Sequence, residues 1–448
     1  MTPPPSVNSS RAPMVNGFDP ADVDRLDPQV AELIQRRSKV FGPGYRLFYR
    51  EPPEFVRGEA AHLFDADGND YLDVYNNVPC VGHCHPHVVE AVHRQMQTLN
   101  TNTRYVQRAV VEYAERLVAK FPSELTRATF TCTGSEANDL ALRLAKYVTG
   151  NEGVIVTEGA YHGLTTEVAA ISPSLGTGTP LGRHVRVVAA PDRRTAPDGD
   201  LAAEMRRRVR AAIADLHRHG YRLAAFVADS IFSSDGVFAD PVGFLQPIVE
   251  EVHAAGGLYI ADEVQPGFCR TGQSWWGFQR HRIVPDIVTI GKPMGNGIPI
   301  AAAIFRPELI EEFDRNVRYF NTFGGNTVSI AAAGAVLDVL ESEGLLSHAD
   351  EVGQVLRGSL EGLIDGHSTL AEVRGAGLFI GVDVVDGAGE PDPVGAADIV
   401  NSLRDRRILI SASGLHGNVL KIRPPLVFND ADADRFLTEF AAVIDGRD

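Results

Sequence analysis

Short apolar runs alternate with longer amphipathic stretches through the middle of the chain. Six of these runs are rich in β-branched residues and end at Gly, Pro, Asp or Ser, which is typical of parallel strands covered on both faces. They lie at 128–132, 154–156, 185–188, 225–228, 258–261 and 287–290. The stretches between them have helical periodicity, clearest from Ala137 to Val148, where the apolar stripe ends at Gly150. The pattern predicts an α/β domain with a mostly parallel sheet.

The order of the elements changes at about residue 330. A helical run through Leu340 is followed by strand-like segments at 373–384, 408–411 and 419–422, and by a final helix at 431–444. We therefore predict a large domain over 76–330 and a smaller α+β domain over 331–448, with the segment 21–75 packing against the smaller domain. Residues 1–20 begin with a stretch rich in Pro, Ser and Asn, and we expect a disordered tail there.

The charge of the chain disfavours nucleic acid as a partner. The 448 residues have a formal net charge of −16, whereas binding to a polyanion needs a basic face. One basic cluster, residues 206–210, is interpreted as the solvated face of a helix that begins near Asp200. No apolar run reaches the roughly 18–20 residues that span a bilayer, and no signal-peptide pattern is present, so we expect no membrane partner. Four cysteines in a chain of this length favour a cytoplasmic location.

Three positions just after the apolar runs have the chemistry of a cofactor site. Gly134 and Ser135 lie at the start of the clearest helix, where free N–H groups and the helix dipole favour a phosphate. Asp262 and Lys292 each follow an apolar run, and ligands in open α/β sheets bind beyond such strand ends. Lys292 is also one of only five lysines and has apolar, glycine-rich neighbours. A phosphate site, a carboxylate and a lysine facing one cavity are the protein groups that pyridoxal 5′-phosphate requires.

A second candidate, at residues 80–87, has two cysteines and three histidines and suggests a metal site at first sight. Cys84 and His85 are adjacent, however, and no further Cys or His pair is placed to complete a tetrahedral set. Pro86 suits the first position of a helix. We therefore favour a packed turn before a helix and predict no metal.

Four motifs, in this order, resemble the class III pyridoxal-phosphate aminotransferases of fold type I. They are TGSEAND at 133–139, AYHG at 160–163, IADEVQ at 260–265 and GK at 291–292, and the resemblance runs from about Phe55 to the C-terminus. It implies that Lys292 bonds to the cofactor and that Asp262 holds its pyridine nitrogen. It further implies a cofactor pocket and, in a homodimer, one residue from the other subunit. The pocket residues are Gly134 and Ser135 at the phosphate, Tyr161 stacking on the ring, Gln265 near the phenolic oxygen, His162, Asp229, and Thr322 from the other subunit.

Within that class the chain is most similar to ethanolamine-phosphate phospho-lyases and the related alanine:glyoxylate aminotransferase 2-like proteins. The stretches 75–78, 81–86, 99–105, 319–326 and 421–425 carry this likeness. It places Asn77, Arg104 and Arg423 in the substrate pocket, where a guanidinium suits a carboxylate or a phosphate. One departure is Asp229, where the class usually has the Glu that pairs with the arginine corresponding to Arg423.

The resemblance therefore implies one of two activities. The first is elimination of phosphate, with ammonia release, from a small phosphorylated amine such as ethanolamine phosphate, which is the activity that we expect. The alternative is an ω-aminotransferase, which moves an amino group between an amine or ω-amino acid and a keto acid. In both, Lys292 removes the Cα proton as general base. Cationic donors at the leaving group would favour elimination, and Arg104 and Arg423 are the candidates.

Overall fold

The computed structural model describes residues 14–446, in which helices and strands alternate through the middle of the chain. The α-helices are α1 Pro28–Phe41, α2 Pro86–Thr98, α3 Arg108–Val118, α4 Gly134–Thr149, α5 Thr166–Ala169, α6 Leu201–Arg218, α7 Gln246–Ala254, α8 Pro307–Asn316, α9 Thr327–Ser342, α10 Leu345–Ile364, α11 Pro393–Asp405 and α12 Asp430–Asp445. The strands are β1 Phe55–Glu59, β2 His62–Asp65, β3 Asp70–Asp73, β4 Arg127–Thr131, β5 Gly153–Thr157, β6 Val185–Val188, β7 Leu223–Asp229, β8 Leu258–Asp262, β9 Ile287–Ile290, β10 Ala301–Phe305, β11 Leu370–Ala376, β12 Phe379–Val384, β13 Ile408–Leu409, β14 Ser411–Ser413 and β15 Val419–Ile422.

A seven-stranded sheet forms the centre of the molecule, in the order β4-β10-β9-β8-β7-β5-β6. Strands β6, β5, β7, β8 and β9 are parallel, and β10 runs antiparallel to both of its neighbours. The predicted mostly parallel α/β architecture is therefore confirmed. All six strands predicted in this region are present, whereas β10 was not predicted, because its alanine-rich start at 301–303 lacks the β-branched residues of the others.

The helix α4 begins and ends as its sequence predicts. Thr133 caps the N-terminus by accepting a hydrogen bond from the Glu136 N–H, and the Glu136 side chain reaches back to the Thr133 N–H. Gly150 ends the helix in the left-handed conformation, at φ 65°. The buried stripe of α4 packs against the central sheet, so its first turn is held beside the carboxyl ends of the strands.

The C-terminal part of the chain has a separate four-stranded sheet, β11-β12-β15-β14, which is antiparallel. Strand β13 leaves it to pair in parallel with β3 of the N-terminal sheet β1-β2-β3. Two hydrogen bonds join the same regions, from the Tyr49 hydroxyl to the Ile410 carbonyl at 2.9 Å and from the Arg50 N–H to Asn401 at 2.7 Å. The N-terminal segment thus packs against the C-terminal unit.

The predicted tail over 1–20 is too long. Residues 1–13 lie outside the described residues, but residues 14–20 are packed. Asn16 is buried, and its carbonyl accepts a hydrogen bond from the Tyr49 N–H at 2.7 Å. Gly17 forms a bridge with Phe48. The local pattern does not reveal these contacts, because they are backbone contacts to a segment about 30 residues away.

The basic cluster of α6 is partly neutralised within the molecule. Arg206 and Arg210 pair with Glu251, and Arg207 and Arg208 pair with Glu204. Each arginine of the cluster therefore has a carboxylate partner, although two glutamates serve four arginines. None of the described helices is long and apolar enough to cross a membrane.

Candidate active site

Three functional side chains lie at the carboxyl ends of neighbouring parallel strands. Asp229 ends β7 and is paired in register with Asp262, which ends β8. Asp262 is in turn paired with Thr289 of β9, three residues before Lys292. The βα alternation thus brings together residues that are up to 63 positions apart, from 229 to 292.

Asp262 is held in one orientation by a buried network. Its Oδ2 accepts hydrogen bonds from His162 Nδ1 at 2.7 Å and from Asn138 Nδ2 at 3.0 Å. Its Oδ1 accepts one from the Val264 N–H at 3.1 Å. Thr289 Oγ1 donates to Asn138 Oδ1 at 2.7 Å, which fixes the orientation of the amide. The carboxylate is therefore positioned before any ligand binds.

Two glycines allow the segments around the first turn of α4 to approach closely. A Cβ at Gly163 would lie 2.3 Å from Ser135 Oγ, and φ is 140° there. A Cβ at Gly134 would lie 2.9 Å from Val264. The Ser135 hydroxyl accepts a hydrogen bond from the Leu164 N–H at 3.0 Å. The N–H groups at the start of α4 thus border the same cavity as the strand ends, as an anion site requires.

Lys292 faces a cavity of about 190 Å³ that Gly134, Ser135, Tyr161, His162, Asp229, Asp262 and Gln265 also line. Burial lowers the pKa of Lys292 to about 8, and the positive charge of Arg423 contributes to the shift. Asp262 and Asp229 oppose the shift in part. A lysine with a pKa near neutrality has the unprotonated fraction that a nucleophile or general base needs.

Arg423 is buried beside this cavity. Its Nη1 donates to Gln265 Oε1, its Nε donates to the Tyr75 carbonyl at 3.0 Å, and its guanidinium carbon lies 4.8 Å from the Tyr75 ring centroid. Asp229 does not pair with it: its Oδ1 accepts the Ile231 N–H at 2.9 Å, and its Oδ2 accepts the Ser233 hydroxyl. Among the described residues, the guanidinium therefore has polar partners but no carboxylate counterion.

The comparisons with known proteins agree with this geometry. The family model for class III aminotransferases matches residues 50–444. The chain belongs to the class III aminotransferase family. Members of this family depend on pyridoxal phosphate. The protein is therefore a pyridoxal-phosphate enzyme.

Relatives within the family have two kinds of name. An alanine–glyoxylate aminotransferase 2-like protein of Drosophila melanogaster is 40% identical over 424 residues, covering 91% of this chain and 86% of the relative. The ethanolamine-phosphate phospho-lyase homolog 1 of Caenorhabditis elegans is 37% identical over 421 residues, covering 89% and 90%. A phospholyase from Arthrobacter, solved in complex with phosphoethanolamine, is 45% identical with a TM-score of 0.89 and covers 92% of this chain and 99% of its own.

The residues of this class III site fit pyridoxal phosphate. His162 Nε2 and both amide atoms of Asn77 are buried and have no hydrogen-bond partner among the described residues. The N–H groups of α4 and Ser135 would hold the cofactor phosphate, Asp262 its pyridine nitrogen and Lys292 its aldehyde carbon. Tyr161, His162, Gln265 and Asp229 also line the cavity. The cofactor supplies an electron sink for the substrate carbanion.

Four predicted residues are not among those that line this cavity: Asn77 and Arg423, which are buried, and Thr322 and Arg104. Thr322 lies in a separate groove with Arg143 and Phe323. Arg104 stacks on Phe320, with its guanidinium carbon 3.8 Å from the ring centroid. Thr322 and Arg104 thus belong to one surface region, away from Lys292.

The histidines of the 80–87 stretch do not converge. His83 bonds Asp73 at 2.8 Å, and His87 bonds Asp338 at 2.9 Å. His85 caps α2, and its other ring nitrogen lies 3.2 Å from Glu343. Within 14–446, no group of three or more His, Cys, Asp or Glu side chains could hold a metal ion.

Sequence reasoning gave no role to Asn138 or Ser233, which orient Asp262 and Asp229. Asn138 had a signal in the sequence, because it is a polar residue beside the apolar stripe of α4. The structure shows that it is buried. Ser233 had none, since a serine in a loop four residues after a strand is common.

Proposed function

We propose that this class III enzyme eliminates phosphate from a small phosphorylated amine such as ethanolamine phosphate. One observation carries the proposal. Arg423 is buried beside Lys292 and has no carboxylate counterion, because Asp229 is bonded to Ser233 and the Ile231 N–H instead. A buried guanidinium is stabilised by an anionic ligand. The likeness to the Arthrobacter phospholyase, at 45% identity, supports phosphate as that anion.

Each residue of the site would have a separate role in the reaction. The side-chain amine of Lys292 has a pKa of about 8 and would take the proton from the substrate Cα. Asp262, fixed by His162 and Asn138, would keep the pyridine nitrogen protonated. Arg423 would bind the phosphate oxygens and stabilise the charge that develops as the Cβ–O bond breaks. Ethanolamine phosphate and water then yield acetaldehyde, ammonia and inorganic phosphate.

The test is incubation of the holoenzyme with ethanolamine phosphate in the absence of any keto acid. We expect inorganic phosphate, ammonia and acetaldehyde in equal amounts. If none of these products forms, while an amine plus glyoxylate or pyruvate yields an amino acid, the ω-aminotransferase alternative replaces the proposal. The alanine–glyoxylate aminotransferase 2-like relative makes glyoxylate the first acceptor to try.

We also propose that the enzyme is a cytoplasmic homodimer in which Thr322 completes the site of the partner subunit. The residues next to Arg104 and Thr322 support this, because Tyr105, Val106 and Phe323 are large, apolar and exposed, Val106 by 98%. Such a patch on a protein surface favours a protein contact. The described cysteines are free, which suits a reducing compartment.

The assembly is tested by measuring the mass in solution, where we expect twice 48.4 kDa. Val106→Glu should yield a monomer with weakened cofactor binding, whereas Val40→Glu, at an exposed valine far away in the sequence, should not. A monomeric parent protein with full cofactor affinity would refute the assembly.

A further inference from the structure

A second lysine, Lys421, lies on the same strand face as Arg423. Strand β15 is the inner strand between β12 and β14, and Lys421 is paired with Gly381 on one side and Ser411 on the other. Because side chains alternate along a strand, Lys421 and Arg423 point to the same side of the sheet. Both cations lie near the Phe379 ring, whose centroid is 6.0 Å from Lys421 Nζ and 5.4 Å from the Arg423 guanidinium carbon.

Lys421 is buried without a counterion. The residue is 8% exposed, and its ammonium makes no hydrogen bond or ion pair with any residue in the described part of the chain. The loop after β7 closes this face of the sheet, since a Cβ at Gly381 would lie 3.1 Å from both Val237 and Val419. Long charged side chains are almost never fully buried unless they are paired. An anionic ligand would supply the partner that the Lys421 ammonium lacks.

The charges around Lys421 favour an anion. Burial lowers the pKa of Lys421 to about 7, and the positive charges of Arg423 and Lys292 add to the effect. Two carboxylates oppose it, and both have other partners: Asp229 accepts the Ser233 hydroxyl, and Asp235 accepts the Thr157 hydroxyl at 2.8 Å and the Gly159 N–H at 2.8 Å. The positive charges of Arg423 and Lys292 therefore disfavour a charged Lys421.

The number of cations distinguishes between the possible anions. A planar guanidinium can bind a carboxylate by itself, through two parallel N–H···O bonds. A dianion such as a phosphate monoester has three terminal oxygens and more charge, and a second cation beside the arginine suits it better.

We propose that Lys421 determines substrate specificity: its ammonium, together with the Arg423 guanidinium, binds the phosphate group of the substrate. This inference rests on the proposed function and names the residue that selects a phosphorylated amine over an amine with a carboxylate. Lys421 binds the phosphate and stabilises the negative charge that develops on it as it leaves, whereas Lys292 removes the Cα proton.

The test compares the parent holoenzyme with Lys421→Met and Lys421→Gln. Methionine has nearly the same length without the charge, and glutamine keeps a polar end. Calorimetric titration with inorganic phosphate should show affinity about 10- to 100-fold weaker in both variants, since a hydrogen bond to a charged group is lost. Titration with acetate should change little, because Arg423 remains. The KM for ethanolamine phosphate should rise by a similar factor.

Lys120→Met is the matched control. Lys120 is also partly buried, but it pairs with Glu341, so its variant should bind phosphate as the parent does. Equal phosphate affinity in the parent and in both Lys421 variants would overturn the inference, as would a parent that binds no phosphate. These titrations do not depend on turnover. A parent that binds phosphate but releases no acetaldehyde would refute the proposed function while leaving Lys421 as a phosphate-binding residue.

Discussion

The substitution Asp229→Glu, which lengthens the side chain by one methylene, should weaken the binding of phosphorylated substrates. Asp229 is short enough to be held within its own loop, where its Oδ1 accepts the Ile231 N–H at 2.9 Å and its Oδ2 accepts the Ser233 hydroxyl. A glutamate carries its carboxylate one methylene farther, and in the class it pairs with the arginine at the position of Arg423. We expect the variant carboxylate to leave the loop and neutralise Arg423.

The size of the effect follows from the contacts exchanged. A hydrogen bond to a charged group contributes about 1.5–3 kcal/mol, so a carboxylate that competes with substrate for Arg423 should raise the KM for ethanolamine phosphate about 10- to 150-fold. Loss of the two bonds within the loop should lower the free energy of unfolding by about 1–2 kcal/mol, at about 1 kcal/mol each. The two effects can be measured separately. The rise in KM depends on the charge of the new carboxylate, whereas the fall in the free energy of unfolding depends on the length of the side chain.

The assay is release of inorganic phosphate over a range of ethanolamine phosphate concentrations, together with urea unfolding. Asp229→Asn is the control, since it keeps the length of the side chain and removes the charge that opposes phosphate binding. We expect Asp229→Asn to leave KM unchanged or lower. If Asp229→Glu and Asp229→Asn raised KM equally, the substitutions would be acting through general damage to the loop, and the competition argument would be wrong.

Two further outcomes follow from the buried titratable groups. Lys292→Ala should lose at least about 100-fold in turnover, because the general base is gone, and borohydride reduction should attach the cofactor to the parent chain but not to the variant; near-parent activity would contradict the whole site. Burial lowers the pKa of His281 from 6.5 to about 4, and its Nε2 donates to the Ser230 carbonyl at 2.9 Å. Because the unfolded chain binds the proton first, stability is fully present above pH 6.5 and falls by about 3 kcal/mol as the pH approaches 4. Urea unfolding across this range should be flatter for His281→Gln, and equal slopes would assign the pH dependence to other groups.

The three positions that the apolar pattern itself located share one property: each lies at or just after the end of a strand of the central sheet. The motifs around Gly134, Asp262 and Lys292 lie at strand ends, and the topology of a parallel sheet brings such ends to one edge. Their convergence therefore depends on local pattern and on a general rule of topology. The same rule predicts nothing about residues that reach the site from other sheets.

The positions of Lys421 and Arg104 could not be predicted from the ends of the parallel strands. Lys421 lies in the antiparallel strand β15, two residues before Arg423. Its burial depends on Gly381 across the sheet and on the loop around Val237, both far away in the sequence. Arg104 lies in a stretch that resembles the phospho-lyase branch, yet it stacks on Phe320 rather than lining the Lys292 cavity. A likeness of motifs assigns a residue to a site without stating where in the fold that residue lies.

The chain as a whole is acidic, yet two of the buried cations that the structure describes are not paired with carboxylates. The chain has a net charge of −16, and surface arginines such as Arg207 and Arg210 are paired with carboxylates. Arg423 and Lys421 instead have no carboxylate counterion among the described residues and are buried in the same unit of sheet. A phosphorylated amine, the proposed substrate, would therefore be attracted over a short range, inside a low-dielectric cavity where each unpaired cation acts strongly. Salt in the solvent should consequently weaken the binding of ethanolamine phosphate far less than it weakens an exposed ion pair.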